Sequence, residues 1–180
     1  MTAAGLAASI PPNRCRIRLV ESDEIGIVGV GEATLPHIKN FNDSLGIDEA
    51  EMMRATNATF KLGIDFVDWG DKGSRYIHPF GVHGSAQSGL GFHQEWLRSV
   101  RAGRDWDIQE FSFACMAARD NRFDFPAPGR TINSTLSYAY HFDASLYAKF
   151  LRGHAEPRGV TRIEGKVRDV EQDPETGDIR

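Results

Sequence analysis

At 180 residues, with 41 % hydrophobic and 26 % charged residues, the chain has ordinary globular composition, which argues against disorder. A formal charge of −4 argues against a nucleic-acid partner, which would select a clustered basic face. No apolar run has the length of a membrane span, and MTAAGLAASIPPNR lacks the basic leading region of a signal peptide, so the expectation is a cytoplasmic protein with no membrane partner. Cys15 and Cys115 lack CxxC spacing, which predicts neither a metal site nor a disulfide framework and suits a reducing compartment. The size predicts one domain, or part of a larger one.

AAGLAASI, residues 3–10, is alanine-rich and ends before Pro11 and Pro12, which predicts a helix closed by prolines. RCRIRLVES, residues 14–22, alternates Cys15, Ile17 and Leu19 with Arg14, Arg16 and Arg18, which predicts a strand with a solvated arginine face. Helix, turn and strand ending at Glu21 form the second half of a βαβ unit. In LGIDEAEMMRATN, Asp48 followed by Glu51 predicts a helix start at Asp48 and an end near Asn57. Phe60, Leu62, Ile64 and Phe66 then alternate with Lys61, Gly63, Asp65 and Val67, a strand pattern. With the WGDKGS turn and RYIHPFG, residues 60–80 read as a hairpin.

Helices are expected over residues 92–103 and 108–121, with a proline-containing loop over 122–130. Asp143 is the expected N-cap of a helix carrying Leu146, Phe150 and Leu151 on one face. The last stretch reads as short strands joined at PETG, and both chain ends look cut. His37, His83, His93, His141 and His154 have no metal-ligand spacing and are assigned to structure or solvent. Trp69, Trp96 and Trp106 are assigned to packing.

GVGEATLPHI, LGIDEAEMMRATNATFKLGIDFVDWG, YIHPFG and YHFDASLYAKFLRGHAEPRGV together resemble the flavin-dependent tryptophan halogenases, across nearly the whole chain and in the family's order. The pair GEATLP and NATFKLGIDFVDW is the specific part of the match. The resemblance implies an α/β fold, an FAD/NAD(P)-binding Rossmann-like fold of the glutathione-reductase type, incomplete, with β-hairpin and helical insertions. The expected domain is a single partial one over 1–180. The family's GxGxxG turn and WxWxIP motif are not found, and its catalytic glutamate and halide loop fall beyond Arg180. The implied reaction uses FAD supplied in reduced form, O₂, and chloride or bromide to make hypohalous acid, which halogenates tryptophan, indole or a related electron-rich ring. A separate flavin reductase is the implied transient partner. An aromatic monooxygenase and an inactive fragment of the same fold are the alternatives.

The resemblance also assigns residues. Glu21, on position alone either a solvated acid or a ribose ligand, is implied to accept hydrogen bonds from the adenosine ribose. Gly31, Glu32, Ala33, Thr34, Leu35 and Pro36 resemble the strap that lies along the flavin, with Thr34 and backbone N–H groups as donors. Glu32 is not taken as the family's essential glutamate. Val167 falls where a strand contacts the adenine. Lys61, otherwise an ordinary strand-edge charge, matches the lysine that projects into the substrate chamber. There its ammonium either hydrogen-bonds hypohalous acid or is itself converted to a haloamine. His78 and Phe80 match residues that sandwich the substrate ring. The stretch from Lys61 to His78 is shorter than expected for enzymes acting on free tryptophan, which makes indole, an indole derivative or peptide-bound tryptophan comparable substrates.

Overall fold

The computed structural model, which describes residues 1–26, 33–86 and 89–179, opens with α1 (Thr2–Ser9) and β1 (Arg18–Glu21). Then follow α2 (His37–Ser44), α3 (Glu49–Thr56), β2 (Thr59–Lys61), β3 (Gly63–Val67) and β4 (Arg75–Pro79). The chain continues through α4 (Phe92–Arg101), α5 (Phe113–Arg119), β5 (Ala139–His141), α6 (Ala144–Ala155) and β6 (Thr161–Glu164). It packs as two units: Met1–Glu32 with Asn40–Ala58 and Phe142–Arg180, and Ala33–Lys39 with Thr59–His141.

In the first unit, β1 and β6 pair in parallel, with Arg18 opposite Thr161 and Glu21 opposite Glu164. The predicted strand is shorter than expected: Cys15 and Ile17 precede it. The helices follow local chemistry closely. The Asp48 carboxylate accepts from Glu51 N at 2.7 Å, satisfying an otherwise orphan amide of α3, and Asn57 closes that helix in the left-handed region at φ 54°. Asp143 does the same for α6, accepting from Ser145 N at 2.8 Å and Leu146 N at 3.0 Å. The buried stripe of α6 is Tyr147, Leu151 and Ala155; Leu146 and Phe150 are only half-buried. Tyr147 can go inside because its hydroxyl donates to Asn42 Oδ1 at 2.6 Å and its ring stacks on Phe142. Met52, Leu45, Ile47 and Val160 complete this core. Among the described residues of the tail, one bridge, Gln172 to Ile179, spans the PETG turn.

In the second unit, the predicted hairpin forms as β3 and β4, with Ile64 opposite His78 and Phe66 opposite Tyr76. The strand expected over residues 60–67 is two strands. β2 pairs antiparallel with β5, Lys61 opposite Ala139, whereas β3 pairs with β4. The exchange of partners occurs at Leu62, whose carbonyl accepts from Phe80 N at 2.8 Å. The helix expected over 108–121 is broken at Ser112. A 3-10 turn over Ile108–Phe111 precedes it, and the Ser112 hydroxyl then caps α5 through Cys115 N. α2, which follows Pro36, and β5 have no counterpart in the sequence reading. Phe60 stacks on Phe123 with ring centroids 3.7 Å apart, and Tyr138 and Phe125 meet both edge-on. Leu62, Ala114, Cys115, Leu136 and Tyr140 are buried in this unit. No helix among the described residues is long and apolar enough to cross a membrane.

Candidate active site

Lys61 ends β2 and is only 7 % exposed. Its ammonium meets a backbone carbonyl and an aromatic ring. Nζ donates to the Thr34 carbonyl at 3.0 Å and stands 5.2 Å from the centroid of the Phe80 ring. Burial pushes the Lys61 ammonium below the ordinary lysine range, because losing water disfavours the charged form. His141, on β5, is pushed down as well, by burial first and by the Lys61 charge second.

The Thr34 carbonyl is held in place by β5. Thr34 N and Oγ1 both donate to Tyr140 O at 2.9 Å, and Oγ1 accepts from Tyr140 N at 3.0 Å. Ala33 bridges His141. The expected flavin donors of Thr34 are therefore already used on Tyr140, while Ala33 and Leu35 stay exposed. Leu35 keeps 52 % of its surface and offers an apolar face. Gly31 and Glu32 lie outside the described residues.

Lys61 lines a cavity of about 890 Å³ whose walls include Phe60, Phe123, His141, Arg119 and Arg122. His78 is exposed, Pro79 buried and Phe80 half-buried, so burial alternates along this stretch. β4 ends at Pro79, and the next rung of its ladder is the hydrogen bond from Phe80 N to Leu62 O. Phe80 comes to Lys61, whereas His78, paired with Ile64, opens on a second cavity of about 610 Å³ with His83, Tyr76 and Trp96. Burial, and the adjacent His78, hold the His83 imidazole below its ordinary range.

In the other unit, Glu21 stands at the carboxyl end of β1. Its Oε1 accepts from Arg152 Nη2 and Arg162 Nε, each at 2.7 Å. Both arginines also pair with Asp23, at 2.9 and 3.0 Å, and Arg162 reaches Glu164. The Arg162 hydrogen bond and the Arg152 guanidinium outweigh desolvation and hold the Glu21 carboxyl below the usual carboxylate range. The Glu21 side chain keeps 37 % of its area accessible. Val167, past the end of β6, is 63 % exposed. An ionised acceptor and an exposed apolar side chain at the carboxyl end of parallel strands fit the adenosine half of a dinucleotide. Sequence reading singled out Glu21 but not its arginines, since Arg152 lies in α6 and Arg162 in β6, both remote in the chain.

The Glu21 cluster has a pH signature. A depressed carboxyl contributes stability that is present above its unfolded value and lost as pH falls through the folded value. The thermal midpoint of the flavin-free protein should fall as pH drops from neutral through about pH 4. Glu21→Gln should lower the midpoint at neutral pH and flatten that acid limb. An unchanged limb in differential scanning calorimetry would remove the cluster from the stability account.

The family model described as tryptophan halogenase matches residues 1–180. The chain belongs to the tryptophan halogenase family. This halogenase-family chain is 36 % identical to the tryptophan 6-halogenase of Streptomyces toxytricini, over 96 % of its own length and 36 % of that relative's. A flavin-dependent halogenase from Brevundimonas sp. BAL3 superposes with a TM-score of 0.87 at 41 % identity, over 99 % of this chain and 35 % of that one. One from Xanthomonas campestris gives 0.86 at 45 % identity, over 98 % and 35 %. The halogenase-family chain thus spans about a third of the length of the relatives it matches, within their mixed α/β, FAD-binding Rossmann-like fold.

Proposed function

We propose that the full-length protein is an FAD-dependent halogenase acting on tryptophan, indole or a related electron-rich aromatic, and that its residues 1–180 contribute part of an FAD-binding domain of the glutathione-reductase type. The observation that carries this reading is Lys61: a buried ammonium beside an aromatic ring, fixed by a backbone carbonyl, in a family member. Bound FAD, delivered reduced by a separate flavin reductase, supplies hypohalous acid from O₂ and chloride or bromide.

The chain's own residues divide the work. Glu21 accepts from the adenosine ribose hydroxyls and Val167 flanks the adenine. Ala33, Leu35 and Pro36 present an apolar edge to the flavin, consistent with the exposed Leu35. Lys61 donates a hydrogen bond to the hypohalous oxygen. That bond withdraws electron density from the oxygen and makes the halogen more electrophilic. The aromatic carbon forms its bond to halogen and loses a proton, and the oxygen leaves as water. Phe80, 5.2 Å from Lys61 Nζ at its ring centroid, holds the substrate ring where that transfer occurs. His78, exposed two residues before Phe80, is assigned to the same substrate ring. The two free cysteines, one exposed and one buried, suit a cytoplasmic setting.

The test is product mass. The full-length protein, a flavin reductase, nicotinamide cofactor, FAD and bromide or chloride are incubated in air with tryptophan, indole and a tryptophan-containing peptide. Halogen replacing hydrogen is the expected product. Added oxygen would make the protein a hydroxylase instead, and no product from any aromatic would defeat the reading.

A further inference from the structure

We propose that Thr34 is a positioning residue for Lys61: by pinning itself to β5 through its hydroxyl, it aims its carbonyl at the lysine ammonium and holds that ammonium in its cavity. This rests on the halogenase reading and deepens it. Four hydrogen bonds converge on Thr34. Two run from its N–H and hydroxyl to Tyr140 O at 2.9 Å, one from Tyr140 N to Oγ1 at 3.0 Å, and one from Lys61 Nζ to its carbonyl at 3.0 Å. The residue is thereby locked on one side to β5 and on the other to β2. Its side chain has no donor to spare for a cofactor.

The consequence is directional. A lysine amine on a flexible stem samples many positions unless an acceptor selects one. At 7 % exposure, water is a poor substitute for that acceptor, so the Thr34 carbonyl decides where the N–H groups point. The hydroxyl touches neither Lys61 nor any reacting atom; it acts through the carbonyl. Among the described residues, the titratable and charged groups that share the lysine's cavity are Asp65 on β3, Arg75 and Tyr76 on β4, Arg119 on α5, Arg122 after it, and His141 on β5. Of these, His141 is coupled to Lys61. Its imidazole titrates in a range well below that of an amine, so the two are separable.

The experiment uses the flavin-free, full-length protein and reads Lys61 directly. Reductive methylation with formaldehyde and cyanoborohydride is followed against pH, and the peptide carrying Lys61 is quantified by mass spectrometry. Thr34→Val is near-isosteric and loses the hydroxyl bonds. It should raise Lys61 methylation about tenfold at a fixed pH, in keeping with the loss of a hydrogen bond to a charged group. Thr34→Ser should restore the wild-type profile. Thr34→Cys, a weak donor and acceptor, should fall between them and carries the test should the valine variant not fold. Wild-type methylation in both Thr34→Val and Thr34→Cys, or a serine variant that behaves like valine, overturns the proposal. Halogenation by Lys61→Ala separates the two layers. If that variant still makes product, the halogenase role of Lys61 fails and the Thr34 role with it. If product is lost in Lys61→Ala while the Thr34 variants methylate as wild type does, the Thr34 role alone fails.

Discussion

Lys61→Ala in the full-length protein should lower halogenation by about 10²–10³-fold or more, the cost of removing one preorganised donor at a centre of developing charge. FAD affinity and consumption of reduced FAD by O₂ should persist, because the contacts of Lys61, Thr34 O and the Phe80 ring, are separate from the Ala33, Leu35 and Pro36 edge assigned to the flavin. Hypohalous acid would then escape, which a soluble scavenger such as monochlorodimedone reports. The pH dependence follows from the same burial. If the ammonium form donates the hydrogen bond, activity falls as Lys61 loses its proton, and burial places that loss below the ordinary lysine range. The basic limb of the kcat profile should therefore appear earlier than a solvated lysine would give. A rate that climbs through that limb would instead mark the neutral amine as the working form, as the haloamine route requires. Lys61→Arg is not conservative here: a planar fork replaces a compact charge in a buried site.

Gly63→Ala should destabilise the protein by about 1–3 kcal/mol, through overpacking that the backbone cannot relieve. A Cβ at Gly63 would stand 2.5 Å from the His78 carbonyl oxygen and 3.0 Å from Pro79 Cα, both main-chain atoms of β4. Gly63 pairs with Pro79 and follows Leu62, the residue where the chain passes from β5 to β4. The clash would push β3 away from β4 and strain the Leu62–Phe80 hydrogen bond, so Phe80 would shift relative to Lys61. The expected result is a lower thermal midpoint together with a higher KM for the aromatic substrate. An unchanged midpoint in a calorimetric scan would show that the strands can separate at no cost. Exposed features of the same hairpin behave differently. The Asp65–Arg75 pair sits in solvent, and Asp65→Ala should leave stability nearly unchanged.

The amino-acid sequence by itself determined the elements whose signals are local. Asp48 and Asp143 cap α3 and α6 with bonds that reach two or three residues ahead. Those bonds need no tertiary partner, so the residue order suffices. The prolines after α1, the turn between β3 and β4 and the alternation of Ile64 and Phe66 were legible for the same reason. The motif around Lys61 was legible as a resemblance, which pointed to Lys61, Thr34 and Phe80 but not to the contacts among them. Tertiary structure decided everything that depends on partners remote in the chain. It broke the expected strand at Leu62, because β5 claimed Thr59–Lys61 and β4 claimed Gly63–Val67. It moved the buried stripe of α6 to Tyr147, because Asn42 satisfied the hydroxyl there. It turned Thr34 toward Tyr140 and Lys61, and brought Arg152 and Arg162 onto one oxygen of Glu21. A period or a cap records what a residue does with its near neighbours. Which remote backbone or side chain satisfies a given polar group is settled only when burial removes the water that would otherwise serve.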